Sequence, residues 1–342
     1  MNSVLGIDIG SRSIKLIELT KDKKEPMLLA AGSAPTPPKS LTSSLVADSK
    51  AVSLALKQLV KETGARSRVV NLALPESQVF TRVIEMPALS ERELTSALQW
   101  EAEQYIPLPL DQVNMDFSIL RDAKETGTSK MEVLLVACPK ALLEKYINYL
   151  EEADLSISGV ETEIIAVTRA LVKSNISMKA AMIVSLGAQT TDVAIIRNGI
   201  LAFTRSISAG GDALSRSVAQ GLSLEVSQAE EYKKTYGLEG DKLEGKIVSA
   251  AKPVMDTILG ELKRALAYYQ EKYKNERVEV LLLSGGTARI PGMVVYLAEN
   301  IGTGIEVQLA NPWVGIKKDA RFAILDNEGP TFAISVGLAI RE

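Results

Sequence analysis

One pattern occurs twice in this chain, and it constrains the fold more than any other feature. Residues 5–19, LGIDIGSRSIKLIEL, and residues 182–196, MIVSLGAQTTDVAII, each read as an apolar strand, a glycine turn with small hydroxylated residues, and a second apolar strand. Gly10 aligns with Gly187 at an offset of 177 (187 − 10), about half of the 342 residues. Two related halves that each open with such a hairpin predict two similar domains facing a common cleft. The chemistry of the turns points to an anion in that cleft. Glycine lets backbone approach closely, and successive N–H groups in a turn form an anion-binding concavity. Ser11, Ser13, Thr190 and Thr191 add hydroxyl donors, and Lys15 adds a positive charge. Asp8, at the end of the first strand, is placed to hold a hydrated Mg²⁺ beside phosphate oxygens. One such hairpin alone reads as a turn and no more. Its recurrence at half-chain spacing favours a phosphate-bearing ligand clamped from both sides.

A third glycine site lies in LLLSGGTARIPGM, residues 281–293. Gly285 and Gly286 end a strand, and Pro291 suits the first turn of a following helix. Bare backbone at such a junction accepts a flat base or a ribose. The two common nucleotide motifs, G-x-G-x-x-G and G-x-x-x-x-G-K-[ST], are both absent from the sequence.

Strand-like runs at 4–9, 13–19, 69–74, 79–86, 132–138, 181–187, 191–196, 200–207, 278–284 and 305–309 alternate with helical patterns, which predicts an α/β fold with mixed sheets. Several runs are apolar on both faces, as strands covered by helices on each side are. Ser90-Glu91-Arg92-Glu93 reads as a capping box flanked by the staple pair Leu89 and Leu94. The helix it starts should end near Tyr105, because Pro107 and Pro109 in IPLPL cannot continue it. Residues 86–158 then read helix, strand, strand, helix, strand, enough for a small lobe with Trp100, Tyr105, Ile106 and Leu108 mostly in its core. SAPTPPKSLTSS, residues 33–44, reads as a loop.

Composition excludes several chemistries. With no histidine, a Ser-His-Asp hydrolase, a His/Cys zinc site and a histidine proton shuttle are ruled out. The single cysteine, Cys138, permits no intrachain disulfide and fits a reducing cytosol. A net charge of −3 argues against a general nucleic-acid binder. The start MNSVLGIDIG has neither the basic nor the apolar region of a signal peptide. No apolar run reaches the roughly 20 residues of a membrane helix, and the long helical pattern near 242–272 is heavily charged. A cytoplasmic chain without direct membrane insertion is expected.

Together the two hairpins and the SGG junction resemble the phosphate 1, phosphate 2 and adenosine motifs of the actin-like ATPase superfamily. Within it the chain is similar to the FtsA-like branch, and most specifically to the PilM family of type IV pilus assembly proteins. The resemblance runs over essentially the whole chain. It is carried by GIDIGSRSIKLIEL, by EMPALSERELTSALQWEAEQYIPLPLDQVNMDFSIL (85–120), and by ISAGGDALSRSVAQ, AEEYKKTYG and SGGTARIPGM. The long lobe segment is far more specific than any glycine loop.

The resemblance implies ATP and Mg²⁺ as ligands. It places Asp8, Gly10, Ser11, Arg12, Ser13 and Lys15 in the first phosphate loop, and Gly187, Gln189, Thr190 and Thr191 in the second. Gly210 and Gly211 would lie near the sugar, Glu230 and Lys233 along ribose and adenine, and Gly285, Gly286 and Thr287 in the adenosine motif. Two roles stand open for Asp192, a water-mediated contact to Mg²⁺ or a cap on its turn. Glu161 matches the acidic residue that orients water in Hsp70-like relatives, beside the alternative of a helix-start acid favoured by the dipole; Glu163 is its neighbour. The usual Asp of the second loop is replaced by Ser185, which implies slow or absent hydrolysis.

The implied layout has a first domain at 1–85, continued by 159–178 and 326–342, an inserted lobe at 86–158, and a second domain at 179–325. That second domain divides into 179–210 with 278–325, and 211–277. The implied partner is the cytoplasmic N-terminal tail of a PilN-like inner-membrane protein, held near the lobe. The chain would then sit at the inner membrane peripherally, through its partners. A small-molecule kinase on the same fold and a self-associating filament protein are the competing readings.

Overall fold

A computed structural model of the chain describes residues 2–21, 25–43, 45–106, 108–172, 179–274 and 276–341. Pro107, expected to help end the lobe helix, Ser44 of the expected loop, and residues 173–178, expected in the first domain, lie outside the described residues.

The first half opens with β1 (Ser3–Ile9), β2 (Ser13–Thr20), β3 (Leu28–Pro35), α1 (Val46–Thr63) and β4 (Val69–Leu74). It then inserts β5 (Phe80–Pro87), α2 (Glu91–Tyr105), β6 (Val113–Arg121), α3 (Ala123–Thr126) and β7 (Lys130–Pro139), and resumes with α4 (Lys140–Glu151), β8 (Ser156–Thr162) and α5 (Glu163–Val172). The second half has β9 (Ala180–Leu186), β10 (Thr191–Arg197), β11 (Ile200–Ile207), α6 (Gly211–Leu222), α7 (Val226–Tyr236), α8 (Lys246–Lys272), β12 (Val280–Ser284), α9 (Met293–Ile301) and β13 (Glu306–Leu309). It closes with α10 (Gly329–Ala339).

Each half carries a five-stranded sheet, ordered β3-β2-β1-β4-β8 in the first and β11-β10-β9-β12-β13 in the second. In both, three antiparallel strands are followed by two parallel ones. The repeat read in the sequence holds at single-residue register. Ile9 pairs with Ile14 across the first turn and Leu186 with Thr191 across the second, again 177 apart. β9 is buried along its whole length, and β1 along all but its first residue. Helices cover both faces, which is why these strands are apolar on both.

α10 lies between the sheets and touches β1, β2, β4 and β12 as well as α5. It is apolar around most of its circumference because most of its circumference is buried. A Cβ on Gly6 of β1 would lie inside contact distance of the Ser335 carbonyl oxygen, and one on Gly337 inside that of the Ala166 carbonyl oxygen. The bare backbone at these two positions lets strand, helix and helix approach each other.

The inserted lobe is the three-stranded sheet β5-β7-β6 with α2 across it. Ser90 and Glu93 form the expected capping box, the Ser90 N–H donating to the Glu93 carboxylate at 2.9 Å. Leu94, Leu98 and Ala102 face the sheet and are fully buried. Trp100 lies about 200° around the helix from Leu98 and is 76% exposed, so it is not core. Leu108 is 40% exposed, while Ile106 is buried and Tyr105 half-buried. α4 and β8, read from sequence as part of the lobe, pack and pair with the first sheet instead: β8 is a parallel partner of β4. Sequence periodicity could not assign them, because a strand's partner is a long-range fact.

Two further differences concern the first half. Leu28–Pro35 is a strand, so the expected loop of residues 33–44 begins inside β3. The remainder of that loop is tied down to α4: the Tyr149 hydroxyl donates to the Ser40 carbonyl at 3.2 Å and Lys145 Nζ to that of Leu41 at 2.7 Å.

The lobe also grips the second half. The Tyr273 hydroxyl donates to Glu132 at 2.9 Å, Lys272 pairs with Glu85 at 3.0 Å, and an Arg121 N–H reaches the Arg197 carbonyl at 3.1 Å. The Thr204 hydroxyl donates to the Thr81 carbonyl at 2.9 Å.

Gly337→Ala should force α5 and α10 apart and destabilise the chain by at least ~2 kcal/mol, as overpacking does. A lowered urea midpoint with an unchanged α/β circular dichroism spectrum checks this, and an unchanged midpoint would show that the helices can separate freely.

Candidate functional site

A cleft of about 520 Å³ opens between the two halves. Both repeated turns line it, from Asp8 to Ser13 on one side and Gly187 to Thr190 on the other. The turns are built alike: the Gly10 N–H donates to the Ser13 carbonyl at 3.1 Å and the Gly187 N–H to the Thr190 carbonyl at 2.9 Å. The start of α6 is stitched to the second turn, with the Gly211 N–H on the Gly187 carbonyl at 3.0 Å and that of Asp212 on the Ala188 carbonyl at 2.7 Å. A Cβ on Gly210 would come within 2.8 Å of the Gly187 and Ala188 oxygens, so the stitch requires glycine.

At the other end, β12 runs into Gly285, Gly286 and Thr287, all in the cleft wall. Gly285 has φ +86° and supports the turn off the strand. A Cβ added to Gly286 would meet nothing within 4 Å, so this backbone faces open space and can lie against a flat group. The Thr287 hydroxyl donates to the Gly187 carbonyl at 2.8 Å, joining the third glycine site to the second turn.

The basic groups of the cleft wall are held by acids. Lys15 pairs with Asp8 at 3.0 Å across the β1–β2 hairpin. Buried Lys233 donates to the Gly211 carbonyl, the Ser215 hydroxyl and Glu230, at 2.9, 2.9 and 2.7 Å. Burial would raise the Glu230 carboxyl, but Lys233 and the Ser215 hydroxyl outweigh it and draw it down to about 2. Arg12 reaches across the cleft to Asp212, with Nε at 3.0 Å and a terminal nitrogen at 2.7 Å.

Opposite them lies a set of acids with the reverse tendency. Asp192 stands directly across the β9–β10 hairpin from Ser185, as Lys15 stands across from Asp8. The hydroxyls of Thr190 and Ser206 donate to it at 3.1 and 2.5 Å. Burial pushes its carboxyl up to about 6 despite those bonds. Glu163, at the first position of α5, is held well above the usual carboxylate range by burial, with Asp192 and Asp8 adding repulsion. Buried Glu76 is pushed up to about 7 by burial and by Asp192.

Most of the expected residues therefore meet in one place. Gly10, Ser11, Arg12, Ser13, Lys15, Gly187, Gln189, Thr190, Gly211, Glu230, Lys233, Gly285, Gly286, Thr287, Asp8 and Asp192 all line the cleft. Gly210 lies behind the wall, and the Thr191 hydroxyl points away to the Ala209 carbonyl at 2.7 Å. Glu161 is not in the cleft; it pairs with Arg169, one contact at 2.6 Å, and with Arg341 at 3.8 Å. Its neighbour Glu163 lines the cleft instead, because β8 ends at Thr162 and the chain turns into α5 there. Asp212 and Tyr146 also line the cleft. Asp212 comes directly after the glycine pair of 210–211, which could have marked it, whereas nothing in the sequence marks Tyr146.

Among the described residues no three acidic or cysteine side chains converge closely enough to hold a metal unaided. A cation held by Asp8 and Asp192 would need phosphate and water oxygens to complete its shell, which is the usual manner of Mg²⁺. The donor turns, the open backbone at Gly286 and the paired lysines fit a nucleoside polyphosphate with such a cation.

Comparison with known proteins gives the family and the fold. Residues 6–342 match the family described as type IV pilus assembly protein PilM. The chain is 28% identical to a chain of a solved PilM–PilN type IV pilus biogenesis complex, with 99% of each covered and a TM-score of 0.86. It is 24% identical to the cell division protein FtsA of Streptococcus pneumoniae, over 92% of this chain and 77% of that one. The fold is also similar to that of MreB5 of Spiroplasma citri bound to AMPPNP, at a TM-score of 0.52 and 14% identity, over 98% of this chain and 95% of that one.

Glu76, buried next to the cleft but not lining it, gives the fold a pH dependence whose sign can be worked out. Its carboxyl ionises at about 7 in the folded chain against an ordinary value of 4.5. The unfolded chain loses this proton first as pH rises, so stability should fall from about pH 4.5 to 7 by on the order of 2–3 kcal/mol. Glu76→Gln should remove that loss. Urea midpoints of both chains at pH 5 and pH 8 check it, and equal pH slopes would show that Glu76 ionises normally.

Proposed function

Because the chain belongs to the PilM family of type IV pilus assembly proteins, we propose that it is an ATP-binding scaffold whose cleft state controls how it holds the cytoplasmic tail of a PilN-like membrane protein. The observation that carries this reading is the pair of identically built turns facing one cleft. Backbone N–H groups and hydroxyls of Ser11, Ser13, Gln189 and Thr190 would take the phosphates. Lys15 would exchange part of its contact with Asp8 for a phosphate oxygen. Glu230 and Lys233 would border the ribose, and the open backbone at Gly286 would face the base. Asp8 and Asp192 would hold Mg²⁺ through water, Asp192 supplying from β10 the carboxylate that Ser185 lacks on β9. The bound cation would neutralise charge on the phosphates.

Binding is favoured over rapid turnover by Ser185, which lines the cleft where the second phosphate loop of the superfamily usually carries an aspartate. Glu161, the expected water-orienting acid, is held by Arg169 away from the cleft. Hydrolysis would then be slow or absent.

Closure would turn the halves about α5 and α10, which pack between the two sheets. A ligand shifts such an equilibrium only by its difference in affinity for the open and closed forms, and two facing turns supply that difference, since both are satisfied only when closed. Similarity to the PilM–PilN complex supports the tail as partner. No helix among the described residues is long and apolar enough to cross a membrane; attachment to the inner membrane would run through the partner.

Calorimetry with ATP·Mg²⁺ tests the reading. Lys15→Ala should weaken binding roughly 10- to 100-fold, the worth of a charge-assisted hydrogen bond, with the fold intact by circular dichroism. Unchanged affinity in that variant would remove the cleft assignment. A PilN-like tail peptide whose affinity is the same with and without ATP would remove the coupling.

A further inference from the structure

The two repeated turns are tied to each other across the mouth of the cleft. Arg12, in the β1–β2 turn, directs Nε and a terminal nitrogen to one oxygen of Asp212, at 3.0 and 2.7 Å. The two residues are 200 positions apart and belong to opposite halves. The other ion pairs of the cleft wall, Lys15–Asp8, Lys233–Glu230 and Lys234–Glu230, each stay within one half. Among the described cleft-lining residues, Arg12–Asp212 is therefore the one ion pair that joins the walls. The Arg12 side chain is 62% exposed and that of Asp212 19%, which sets the pair at the rim of the cleft and not on its floor.

Both partners stand on braced backbone. On the first half, the N–H of Thr36, just past β3, donates to the Arg12 carbonyl at 3.1 Å, and the Thr36 hydroxyl to the Gly10 carbonyl at 2.6 Å. On the second half, Asp212 lies in the first turn of α6, where the helix dipole favours an acid. Its N–H and that of Gly211 fasten that turn to the carbonyls of Ala188 and Gly187. A guanidinium on a carboxylate is one of the stronger polar contacts. Held between two braced turns, it resists any widening of the gap between them. The Asp212 carboxylate has the same sign of charge as a phosphate, so its place at the rim of an anion site calls for a role other than attracting the ligand.

We propose that Arg12 and Asp212 form a latch across the cleft mouth, which parts each time a nucleotide enters or leaves and so governs the rate of exchange more than the affinity. The inference takes its ligand from the nucleotide reading of the cleft; the tie between the turns stands on the geometry alone. A contact that is closed both before and after the ligand passes slows entry and release alike, as a lid does, and leaves their ratio unchanged.

The first arm of the test uses no nucleotide. Hydrogen exchange of the full chain, read by mass spectrometry, should show that Asp212→Asn loosens residues 9–13 and 36 on the opposite half, and that Arg12→Ala loosens residues 210–214 in return. Each loss of protection should be about fivefold, the upper worth of an ion pair with one exposed partner. Asp212→Glu, which keeps the charge, should keep the native protection. Loosening confined to the half that bears the substitution would overturn the proposal. The second arm follows release of a fluorescent ATP analogue chased with excess ATP·Mg²⁺. Asp212→Asn should release it about fivefold faster than the native chain, at an affinity within about twofold of native, and Asp212→Glu at the native rate. An unchanged release rate in Asp212→Asn would overturn the latch. So would tighter affinity at an unchanged release rate, which would mean that Arg12 leaves Asp212 for the bound phosphate. A native chain that shows the crossed protection yet binds no analogue would remove the nucleotide reading, and the exchange role with it, whereas binding without crossed protection would remove the latch alone.

Discussion

The approach of α10 to β1 on one side and to α5 on the other is the contact on which the rest of the molecule depends. It is possible because Gly6 and Gly337 carry no side chain: a Cβ at either would overlap a backbone carbonyl. With the two sheets held this closely to one pair of helices, the β1–β2 and β9–β10 turns face each other across the cleft. A hydrophobic core forms at this junction, with residues from β2, α5, β9, β12 and α10. The two halves are therefore joined through their interiors and through the lobe, which holds the second half by Tyr273, Lys272 and Arg197.

The cleft is charged but pre-paired. Lys15, Lys233 and Arg12 each hold an acid, the two lysines largely buried in the wall and Arg12 largely in water. The cleft acids Asp192 and Glu163, and Glu76, whose N–H donates to Glu163 from outside the lining, behave in the opposite way. They are crowded and desolvated, and each is pushed toward its protonated form. On the proposed reading, such a wall would receive an anion by exchanging partners.

Much of this was legible in the sequence. The repeat at 177 residues predicted two matched sheets, and the pairing register keeps that offset. The capping box of α2 formed as read, since caps are local. Local patterns failed where the partner is distant. Glu161 and Glu163 are two residues apart, and only the end of β8 at Thr162 decides which enters the cleft. β8 reads as a lobe strand until β4 is seen to pair with it. Trp100 reads as core until the face of α2 that meets the sheet is known.

The sequence by itself determined the elements, the duplicated turns and the residue types that can hold phosphate, because turn, cap and strand preferences act over a few neighbouring residues. Membership of the family was equally legible, carried by the long lobe segment at 85–120 and by the glycine sites. Only the tertiary structure decided which acid faces the cleft and which is locked to Arg169, which strand stays open at the lobe's edge, and how Asp192 comes to stand across from Ser185. Those outcomes depend on contacts between residues far apart in the chain, whose geometry is set by packing and by the places where glycine lets two backbones meet.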